Sequence, residues 1–454
     1  MKQLIQNLKN GNTELIDVPT PRCGRGQVLI QTTMSLVSLG TERMLVEFGK
    51  SGWIEKAKSQ PDRVKQVLDK IKTDGLLPTI ETVMNKLDQP IPLGYCNVGS
   101  VLEVGQDILD LKPGDKVASN GAHAEVVCVP RNLVVPIPKK VSDEEAVFTV
   151  IGSISLQGIR LLAPTSNETI VVFGLGLIGL LAIQLLKAQG CRVIGIDIAP
   201  DKLELAKSFG AEVLAGGEDA VEAVMELTGQ LGADGVLITA SSSSQKIISQ
   251  SAKMSRQRGK IVLIGVVGLN LNRDDFYKKE LTFQVSCSYG PGRYDSAYEA
   301  SNHDYALPHV GWTMQNNFKT VLETIVSGKL KVVPLISKQV AFEKYEEIYS
   351  DLKNPNIIAA LMKYSESKPD IQRTISSESP HPSPISNPTV GCIGSGNFTS
   401  AIILPSLKKA GARVKVLCSA KGLSSAIQAR RFSIPVVTTD SDVVLNDADV
   451  TMVG

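Results

Sequence analysis

The sequence is poor in metal-ligand residues, with only four histidines among 454 residues and no Cys-x-x-Cys pair. Its seven cysteines are scattered along the chain, at Cys23, Cys96, Cys128, Cys191, Cys287, Cys392 and Cys418. Neither a disulfide framework nor a tetrahedral structural zinc site has this spacing. The cysteine pattern therefore argues against a fold that is held together by disulfides or by structural zinc. It favours a reducing, cytoplasmic location.

Excess charge of one sign and long hydrophobic runs are also scarce. The formal net charge is +2, which gives no reason to propose a nucleic acid or an anionic membrane as partner. The apolar run Ile170–Ile183 spans 14 residues and contains three glycines, short of the roughly 20 residues of a membrane span. Residues 1–10 lack the apolar core of a signal peptide. We therefore expect two or three globular domains and a small-molecule substrate.

What the sequence does contain is two glycine fingerprints, 220 residues apart. The first reads Thr169-Ile-Val-Val-Phe-Gly-Leu-Gly-Leu-Ile-Gly179, and the second reads Val390-Gly-Cys-Ile-Gly-Ser-Gly-Asn-Phe-Thr399. In each, a β-branched apolar run leads into Gly-x-Gly and then into a helical pattern. A dinucleotide site needs this context.

Each residue of the first fingerprint has a physical task in such a site. Gly174 permits the tight turn out of the strand, Gly176 lets the backbone approach a pyrophosphate, and Gly179 lets helix and strand pack closely. The amides of Leu177 and Ile178 open the helix and present the positive end of its dipole to the pyrophosphate. The alternative is a glycine-rich turn that binds no ligand.

An acidic residue follows at the distance expected for ribose recognition. Asp197 lies eighteen residues after Gly179, at the end of the second predicted strand. A carboxylate there accepts hydrogen bonds from the ribose hydroxyls and repels a 2′-phosphate, so NAD is favoured over NADP. Lys202 is near enough in the sequence to reach the same ribose.

The pattern of the chain predicts an α/β fold. Residues 1–45 alternate as short strands, and residues 49–88 have helical spacing. Strands then alternate with helices over residues 167–290, which favours a parallel sheet wound on both faces. Residues 365–388 are rich in serine and proline and are predicted to be a linker. Residues 389–454 repeat the strand–helix alternation.

The chain up to about residue 364 resembles the medium-chain dehydrogenase/reductase family, whose fold is that of the zinc alcohol dehydrogenases. The resemblance rests on Gly24-Arg-Gly-Gln-Val-Leu-Ile30, Leu39-Gly-Thr-Glu42, Pro92-Leu-Gly-Tyr-Cys-Asn-Val-Gly99, Leu111-Lys-Pro-Gly-Asp-Lys-Val117 and Ala122-His-Ala-Glu125. It implies a GroES-like, mostly-β catalytic domain at 1–150 and 290–364, with a helical insert at 49–88. A Rossmann domain at 151–289 would bind the cofactor. It also implies an oxidoreductase that commonly forms dimers or tetramers.

The metal-ligand positions of that family are changed in this sequence. Leu39 stands where zinc members have a cysteine, and Tyr95-Cys96 stand where they have His-Glu. Leucine cannot bind zinc and tyrosine is a poor ligand, so we expect a metal-free member. The alternative is an unconventional metal site made from Cys96, Glu42 and Tyr95.

Without zinc, another group must handle the proton when hydride moves to or from the cofactor. Thr41 holds the position of the family's proton-relay hydroxyl, and Tyr95 is suited to act as a general acid. His123 is a candidate because the imidazole side chain is suited to proton transfer near neutral pH. Together with Glu42 these are the catalytic candidates. The alternatives are a capping hydroxyl for Thr41, packing for Tyr95 and a structural role for His123.

Two further segments suggest a specialised subgroup. The insert 49–88 is longer than the family usually carries, and Ser288-Tyr-Gly-Pro-Gly-Arg-Tyr-Asp295 follows the last strand of the cofactor domain. Arg293 is a candidate for binding an anionic substrate group, with Tyr294 or Trp312 stacking on a sugar or base. The alternative for Arg293 is a surface salt bridge.

Residues 389–454 resemble the beginning of the Gfo/Idh/MocA family of sugar dehydrogenases. Gly394 and Gly396 keep the first two glycines, Thr399 stands at the third, and the second strand ends in Ser419 instead of an acid. The half-domain is too short for that family's catalytic parts. The whole arrangement resembles a bi-domain oxidoreductase of polysaccharide and nucleotide-sugar pathways, truncated at its C-terminal side.

These features predict a zinc-independent, NAD-dependent dehydrogenase that acts on an alcohol or ketone, in a sugar or sugar nucleotide. Two alternatives remain open. One is a metal-free C=C reductase that adds hydride to an enone or quinone. The other is a catalytically silent nucleotide-binding scaffold.

Overall fold

The computed structural model describes residues 1–8, 10–51, 90–300, 303–306, 310–367, 369–377 and 388–454. Most of the predicted helical insert 49–88 lies outside the described residues. No helix in the described ranges is both long enough and apolar enough to span a bilayer.

The first part of the chain forms a β unit. Its strands are β1 (Lys2–Gln6), β2 (Thr13–Asp17), β3 (Gln27–Val37), β4 (Ile91–Pro92), β5 (Asn97–Val104), β6 (Lys116–Ser119), β7 (Val126–Pro130) and β8 (Val134–Pro136), with helix α1 (Leu39–Lys50) after β3 and helix α2 (Asp143–Ala146) after β8. Strands β17 (Ile336–Ala341) and β18 (Ala359–Lys363) return to the same sheet, in the order β17-β18-β3-β5-β6-β8 with β7 also on β3. The β unit is thus built from two segments of the chain, on either side of the next unit.

The middle of the chain forms a parallel-sheet unit. Its strands are β9 (Thr169–Phe173), β10 (Arg192–Asp197), β11 (Glu212–Ala215), β12 (Ala233–Ile238), β14 (Ser255–Leu263) and β16 (Thr282–Val285), and a two-stranded ribbon joins β13 (Ser241–Ser242) to β15 (Val266–Val267). The sheet order is β11-β10-β9-β12-β14-β16, and every pairing is parallel. The α/β prediction is confirmed.

Helices cover this parallel sheet and join it to the β unit. They are α3 (Thr149–Leu162), α4 (Leu177–Ala188), α5 (Pro200–Ser208), α6 (Ala220–Leu227), α7 (Lys246–Met254), α8 (Arg273–Tyr277), α9 (Ser296–Ala300), α10 (Met314–Val326) and α11 (Glu346–Tyr349). The largest of the apolar clusters described contains side chains of α3, α4 and α10 together with Met34, Leu36 and Val98 of the β unit. A shared core therefore fixes the β unit against the parallel-sheet unit.

The last part of the chain forms a C-terminal unit. Its elements are β19 (Thr374–Ser376), β20 (Thr389–Ile393), α12 (Leu404–Lys409), β21 (Arg413–Cys418), α13 (Leu423–Phe432), β22 (Val436–Thr438), α14 (Ser441–Leu445) and β23 (Met452–Val453). The sheet order is β19-β22-β21-β20-β23. Part of the predicted linker 365–388 forms regular structure, because Thr374–Ser376 pairs antiparallel with β22 at a sheet edge. Residues 378–387 lie outside the described ranges.

The C-terminal unit is packed against the β unit. Ala426 of α13 lies in one apolar cluster with Ile5, Ile16 and Val18. Beside this cluster, the backbone N–H of Thr20 donates to the Gln372 carbonyl at 2.8 Å. This contact combines buried apolar surface with hydrogen bonds, so it contributes to the stability of the folded chain.

We predict that Ala426→Glu lowers the free energy of unfolding by about 2–3 kcal/mol, because it places an unpaired carboxylate in an apolar contact. Urea denaturation measures the change. The matched control is Ala410→Glu, since Ala410 is exposed in the same unit, and we expect it to change the free energy by less than about 0.5 kcal/mol. Equal losses in the two variants would contradict the packed interface.

Candidate active site

The turn between β9 and α4 is shaped by its three glycines. Gly174 has a φ of +99°, and its N–H donates to the Ile196 carbonyl at 2.8 Å. A Cβ on Gly179 would lie 2.0 Å from the Gly174 carbonyl oxygen, so the helix can approach the strand only with glycine there. A Cβ on Gly176 would meet nothing within 4 Å. The space in front of Gly176 is therefore open to a ligand.

Helix α4 begins at this open turn with its amides available. Gly176 precedes the helix, no side chain caps it, and Leu177 and Ile178 are its first residues. The first amides of a helix have no partner within the helix and carry partial positive charge. This end of α4 is suited to an anionic ligand such as a pyrophosphate.

Asp197 reaches the same turn from the end of β10. Its Oδ2 accepts from the Leu175 N–H at 2.6 Å, and its Oδ1 accepts from the Ala199 N–H at 3.0 Å. Because a carboxylate offers about four acceptor positions, both oxygens can still accept from a diol. Ile198 is 85% exposed beside it, and Lys202 lies half-buried on α5. The arrangement fits a ribose whose attached base lies flat against the Ile198 side chain.

Three hydroxyl groups meet at the beginning of α1. The Tyr95 hydroxyl donates to Ser38 Oγ at 2.7 Å and lies 3.4 Å from Thr41 Oγ1. Ser38 Oγ in turn lies 3.5 Å from Thr41 Oγ1. Thr41 is exposed, Tyr95 is half-buried and Ser38 is buried. We call Ser38, Thr41 and Tyr95 the hydroxyl triad, and its geometry allows protons to pass between the protein interior and solvent.

A buried carboxylate lies beneath the hydroxyl triad. Glu42 is 1% exposed, and its Oε1 accepts from the Ser38 backbone N–H at 2.9 Å. His123, fully buried, lies 3.2 Å from that oxygen through Nε2. The Tyr349 hydroxyl donates to Glu42 Oε2. Such a carboxylate is costly to bury unless it is paired and hydrogen-bonded, and here it has three donors.

The other side of His123 is also occupied. Its Nδ1 lies 2.8 Å from Ser35 Oγ, and Ser35 Oγ lies 3.0 Å from the Tyr364 hydroxyl. The imidazole thus has a partner at both nitrogens and no exposed surface. We refer to Glu42, His123, Ser35, Tyr349 and Tyr364 as the buried network.

These contacts correct two of the sequence-based assignments. Thr41 and Tyr95 are brought together at accessible positions, as a proton-handling site requires. His123 and Glu42 are buried beneath them, so neither side chain is accessible to a substrate. Their position makes them supports of the hydroxyl triad, since Glu42 holds Ser38 in place.

Burial determines whether the side chains of Tyr95 and Cys96 are protonated. Removal from water raises the pKa of Tyr95 well above that of an exposed tyrosine, although the hydrogen bonds between Tyr95 and the hydroxyls of Ser38 and Thr41 act in the opposite direction. Burial likewise raises the pKa of the Cys96 thiol, and the charge of Glu42 raises it further. Tyr95 is therefore a hydroxyl donor at neutral pH, and Cys96 is a neutral thiol.

The residues at the family's metal positions do not fit a zinc ion. Leu39 offers only an alkyl chain, the Tyr95 hydroxyl is held by Ser38, and the Cys96 thiol is fully buried with a raised pKa. Zinc requires deprotonated or neutral nitrogen, sulfur or oxygen donors, in tetrahedral arrangement. Within the described ranges, no group of three or more His, Cys, Asp or Glu residues is placed to hold a metal.

Helix α3 connects the hydroxyl triad to the glycine turn. The Cys96 thiol, next to Tyr95 in the chain, hydrogen-bonds to the backbone of Ile151. One turn further along α3, Ser155 Oγ donates to the Ile178 carbonyl at 2.9 Å. Four residues of helix span about 6 Å. Helix α3 therefore connects the two parts of the site over about one helical turn.

The predicted substrate residues lie in a turn after β16. The Arg293 guanidinium forms an ion pair with Glu299 and lies 4.2 Å from the centre of the Tyr294 ring. Tyr294 is 71% exposed. An anionic group would have to compete with Glu299 for Arg293. Trp312 is held by a 2.9 Å hydrogen bond from its Nε1 to Gln157 Oε1.

The second fingerprint forms the same type of turn in the C-terminal unit. Gly394 has a φ of +107°, and its N–H donates to the Cys418 carbonyl at 2.9 Å. Gly394 and Gly396 are exposed, and a Cβ on either would meet nothing within 4 Å. Ser419 Oγ, at the end of β21, hydrogen-bonds to Ser425 Oγ at 2.8 Å. The turn is open, but no carboxylate stands at the Asp197-like position.

Sequence reasoning missed four members of the site, namely Ser35, Ser38, Tyr349 and Tyr364. Ser38 could have been found from its place before α1, since serine is a preferred residue there. The other three carry no motif. Tyr349 is 307 residues from Glu42, and Tyr364 is 329 residues from Ser35.

Comparisons with known proteins find similar sequences and similar folds. A family model described as zinc-binding dehydrogenase matches residues 178–302. An NAD-dependent alcohol dehydrogenase of Sulfurisphaera tokodaii is 26% identical over 361 residues, which are 68% of this chain and 95% of the relative. D-guloside 3-dehydrogenase of Escherichia coli is 28% identical over 269 residues, 57% of this chain and 72% of the relative.

Among solved structures, alcohol dehydrogenase TADH from a Thermus species matches with a TM-score of 0.61 and 20% identity. The match covers 80% of this chain and 100% of that chain. The chain is thus similar in sequence and in fold to alcohol dehydrogenases, and this similarity supports oxidoreductase activity. The resemblance of the C-terminal unit to the Gfo/Idh/MocA family stays a prediction.

We predict that alanine lowers the free energy of unfolding at one of the fingerprint glycines and leaves it almost unchanged at another. Gly179→Ala forces α4 away from Gly174 and lowers the free energy of unfolding by about 1–3 kcal/mol. Gly176→Ala leaves it within about 0.5 kcal/mol, because Gly176 has open space and a φ of −69°. Urea denaturation of both variants checks this, and equal losses would contradict the described turn.

Proposed function

We propose that this chain is an NAD-dependent, zinc-independent dehydrogenase that oxidises an alcohol or reduces a ketone in a sugar or sugar nucleotide. The observation that carries the proposal is the hydroxyl triad. Tyr95 takes a position that holds a metal ligand in zinc members of the family, and Thr41 takes the position of their proton-relay hydroxyl. Helix α3 connects this triad to the dinucleotide turn. The predicted domain bounds, a cytoplasmic location and a homo-oligomeric state are part of the same proposal.

The proposal assigns cofactor binding to the first fingerprint. The Leu177 and Ile178 amides hold the pyrophosphate, Asp197 accepts from both ribose hydroxyls, and Lys202 lies at the ribose edge. The bound dinucleotide supplies or accepts the hydride. Because Asp197 would repel a 2′-phosphate, NAD is preferred over NADP. Gly394 and Gly396 are proposed as a second nucleotide turn.

The hydroxyl triad handles the proton. In the reductive direction, the Tyr95 hydroxyl turns from Ser38 to the substrate oxygen and transfers its proton as negative charge develops there. The resulting tyrosinate is stabilised by hydrogen bonds from Ser38 and Thr41. Exposed Thr41 then passes a proton from water to the tyrosinate, which restores the Tyr95 hydroxyl. In the oxidative direction the same path runs in reverse. The buried network keeps Ser38 in position during the transfer.

Three observations support a sugar-like substrate. One relative is named a D-guloside 3-dehydrogenase. Tyr294 is an exposed aromatic ring on the turn after β16, suited to stack on a sugar. Arg293 beside it supplies a positive charge for a phosphate or carboxylate once Glu299 is displaced.

A metal-free C=C reductase is the second candidate, because Leu39 and the protonated Cys96 leave no Lewis acid for an alcohol oxygen. The two candidates differ in their substrates. NAD reduction with a panel of sugar alcohols supports the first, whereas NADH oxidation with enones or quinones alone supports the second.

We predict that Asp197→Ala weakens NADH binding by about tenfold and reduces the preference for NADH over NADPH. The loss removes the acceptor for the ribose hydroxyls and the charge that repels a 2′-phosphate. Fluorescence titration with both nucleotides measures the change. The control Asp201→Ala removes an exposed carboxylate four residues away and should leave both affinities unaltered. Unchanged binding by Asp197→Ala would remove this residue from the site.

We predict that Tyr95→Phe slows hydride transfer by about 100-fold or more, as expected for loss of a general acid, while NADH affinity stays the same. Stopped-flow measurement of NADH absorbance reports the rate. Tyr277→Phe is the matched control, because Tyr277 is 66% exposed on α8 and lies over Arg273. A rate within twofold of the unaltered chain would rule out the assigned role of Tyr95.

A further inference from the structure

Two cysteines that the proposed reaction does not use lie together in the β unit. Cys128 is on β7, and Cys23 is in the turn before β3. Both thiols contact the same residue, since Cys23 Sγ donates to the Gln27 carbonyl at 3.1 Å and Cys128 Sγ lies 3.4 Å from Gln27 Oε1. Cys23 also packs against the apolar cluster that contains Cys128 and Leu29.

The surroundings make the two thiols unequal. Interaction with the neighbouring Cys23 thiol lowers the pKa of Cys128, and the ammonium of Lys421 lowers it further. The same interaction and burial raise the pKa of Cys23 well above its usual range. Cys128 thus gains thiolate character while Cys23 keeps its proton. A thiolate is the reactive form of cysteine toward oxidants.

The pair is placed beside solvent and beside the C-terminal unit. Cys23 lines a surface cavity of about 540 Å³, together with Arg22, Glu103 and Arg373. Cys128 is 9% exposed, so only a small oxidant can reach its sulfur. Lys421 belongs to the C-terminal unit, so the favourable charge at Cys128 depends on the packing of that unit against the β unit.

We propose that Cys23 and Cys128 form a peroxide-sensitive pair that closes to a reversible disulfide. The Cys128 thiolate attacks one oxygen of hydrogen peroxide, the O–O bond breaks, and hydroxide leaves with Cys128 as a sulfenic acid. The Cys23 sulfur then attacks the Cys128 sulfur, the S–O bond breaks, and water leaves with the Cys23 proton. In total, two thiols and one peroxide become one disulfide and two waters. The proposal is independent of the dehydrogenase assignment.

Mass spectrometry after proteolysis without reduction tests the pair in the full chain. After treatment with a small excess of hydrogen peroxide, we expect the Cys23 and Cys128 peptides to be linked and to separate again with dithiothreitol. Cys287 serves as an internal control, because it is exposed and lies outside this pair. Oxidation of Cys287 while Cys23 and Cys128 stay reduced would overturn the proposal.

Two variants separate the roles of the partners. In Cys23→Ser, Cys128 should be trapped by dimedone as a sulfenic acid, because no thiol is left to resolve it. In Lys421→Met, oxidation of Cys128 should slow by about three- to tenfold. Native-like circular dichroism of both variants shows that they are folded. A Cys128 that dimedone does not label in folded Cys23→Ser would contradict the assigned order of attack.

Discussion

The buried carboxylate of Glu42 is the constraint on which the candidate active site depends. It draws together β3, α1, the loop that carries His123, and α11, because each supplies a side chain or backbone group to the buried network. A buried charge with several donors is stable only if all of them are in place. The position of Ser38, and with it that of Tyr95, follows from this requirement.

This support makes a hydroxyl-based site possible without a metal ion. In a zinc enzyme the metal polarises the substrate oxygen, whereas here Leu39 and the neutral Cys96 provide no such centre. Tyr95 is a protonated donor beside exposed Thr41. Helix α3 connects these residues to the dinucleotide turn, and in the proposed function the hydride and the proton are transferred between these two parts of the site.

The sequence predicted the parts of the structure that depend on local pattern. The α/β fold and the parallel strands that follow Thr169 depend on alternation and glycine spacing, which are visible within short windows. The buried network depends on pairs such as Glu42 and Tyr349, whose 307-residue separation no local pattern reveals. His123 is a second example, because its residue type suggested proton transfer, whereas its burial depends on residues distant in the sequence. The docking of the C-terminal unit is likewise a long-range packing effect around Ala426.

The central claim is that the hydroxyl triad replaces a metal in an NAD-dependent dehydrogenase. The most direct test is elemental analysis by mass spectrometry together with an NADH titration on the same purified sample. The account predicts saturable NADH binding, with a zinc content far below one ion per chain that does not change after treatment with a chelator. One tightly held zinc per chain, lost together with NADH-dependent turnover on chelation, would contradict it and return Cys96, Glu42 and Tyr95 to consideration as ligands.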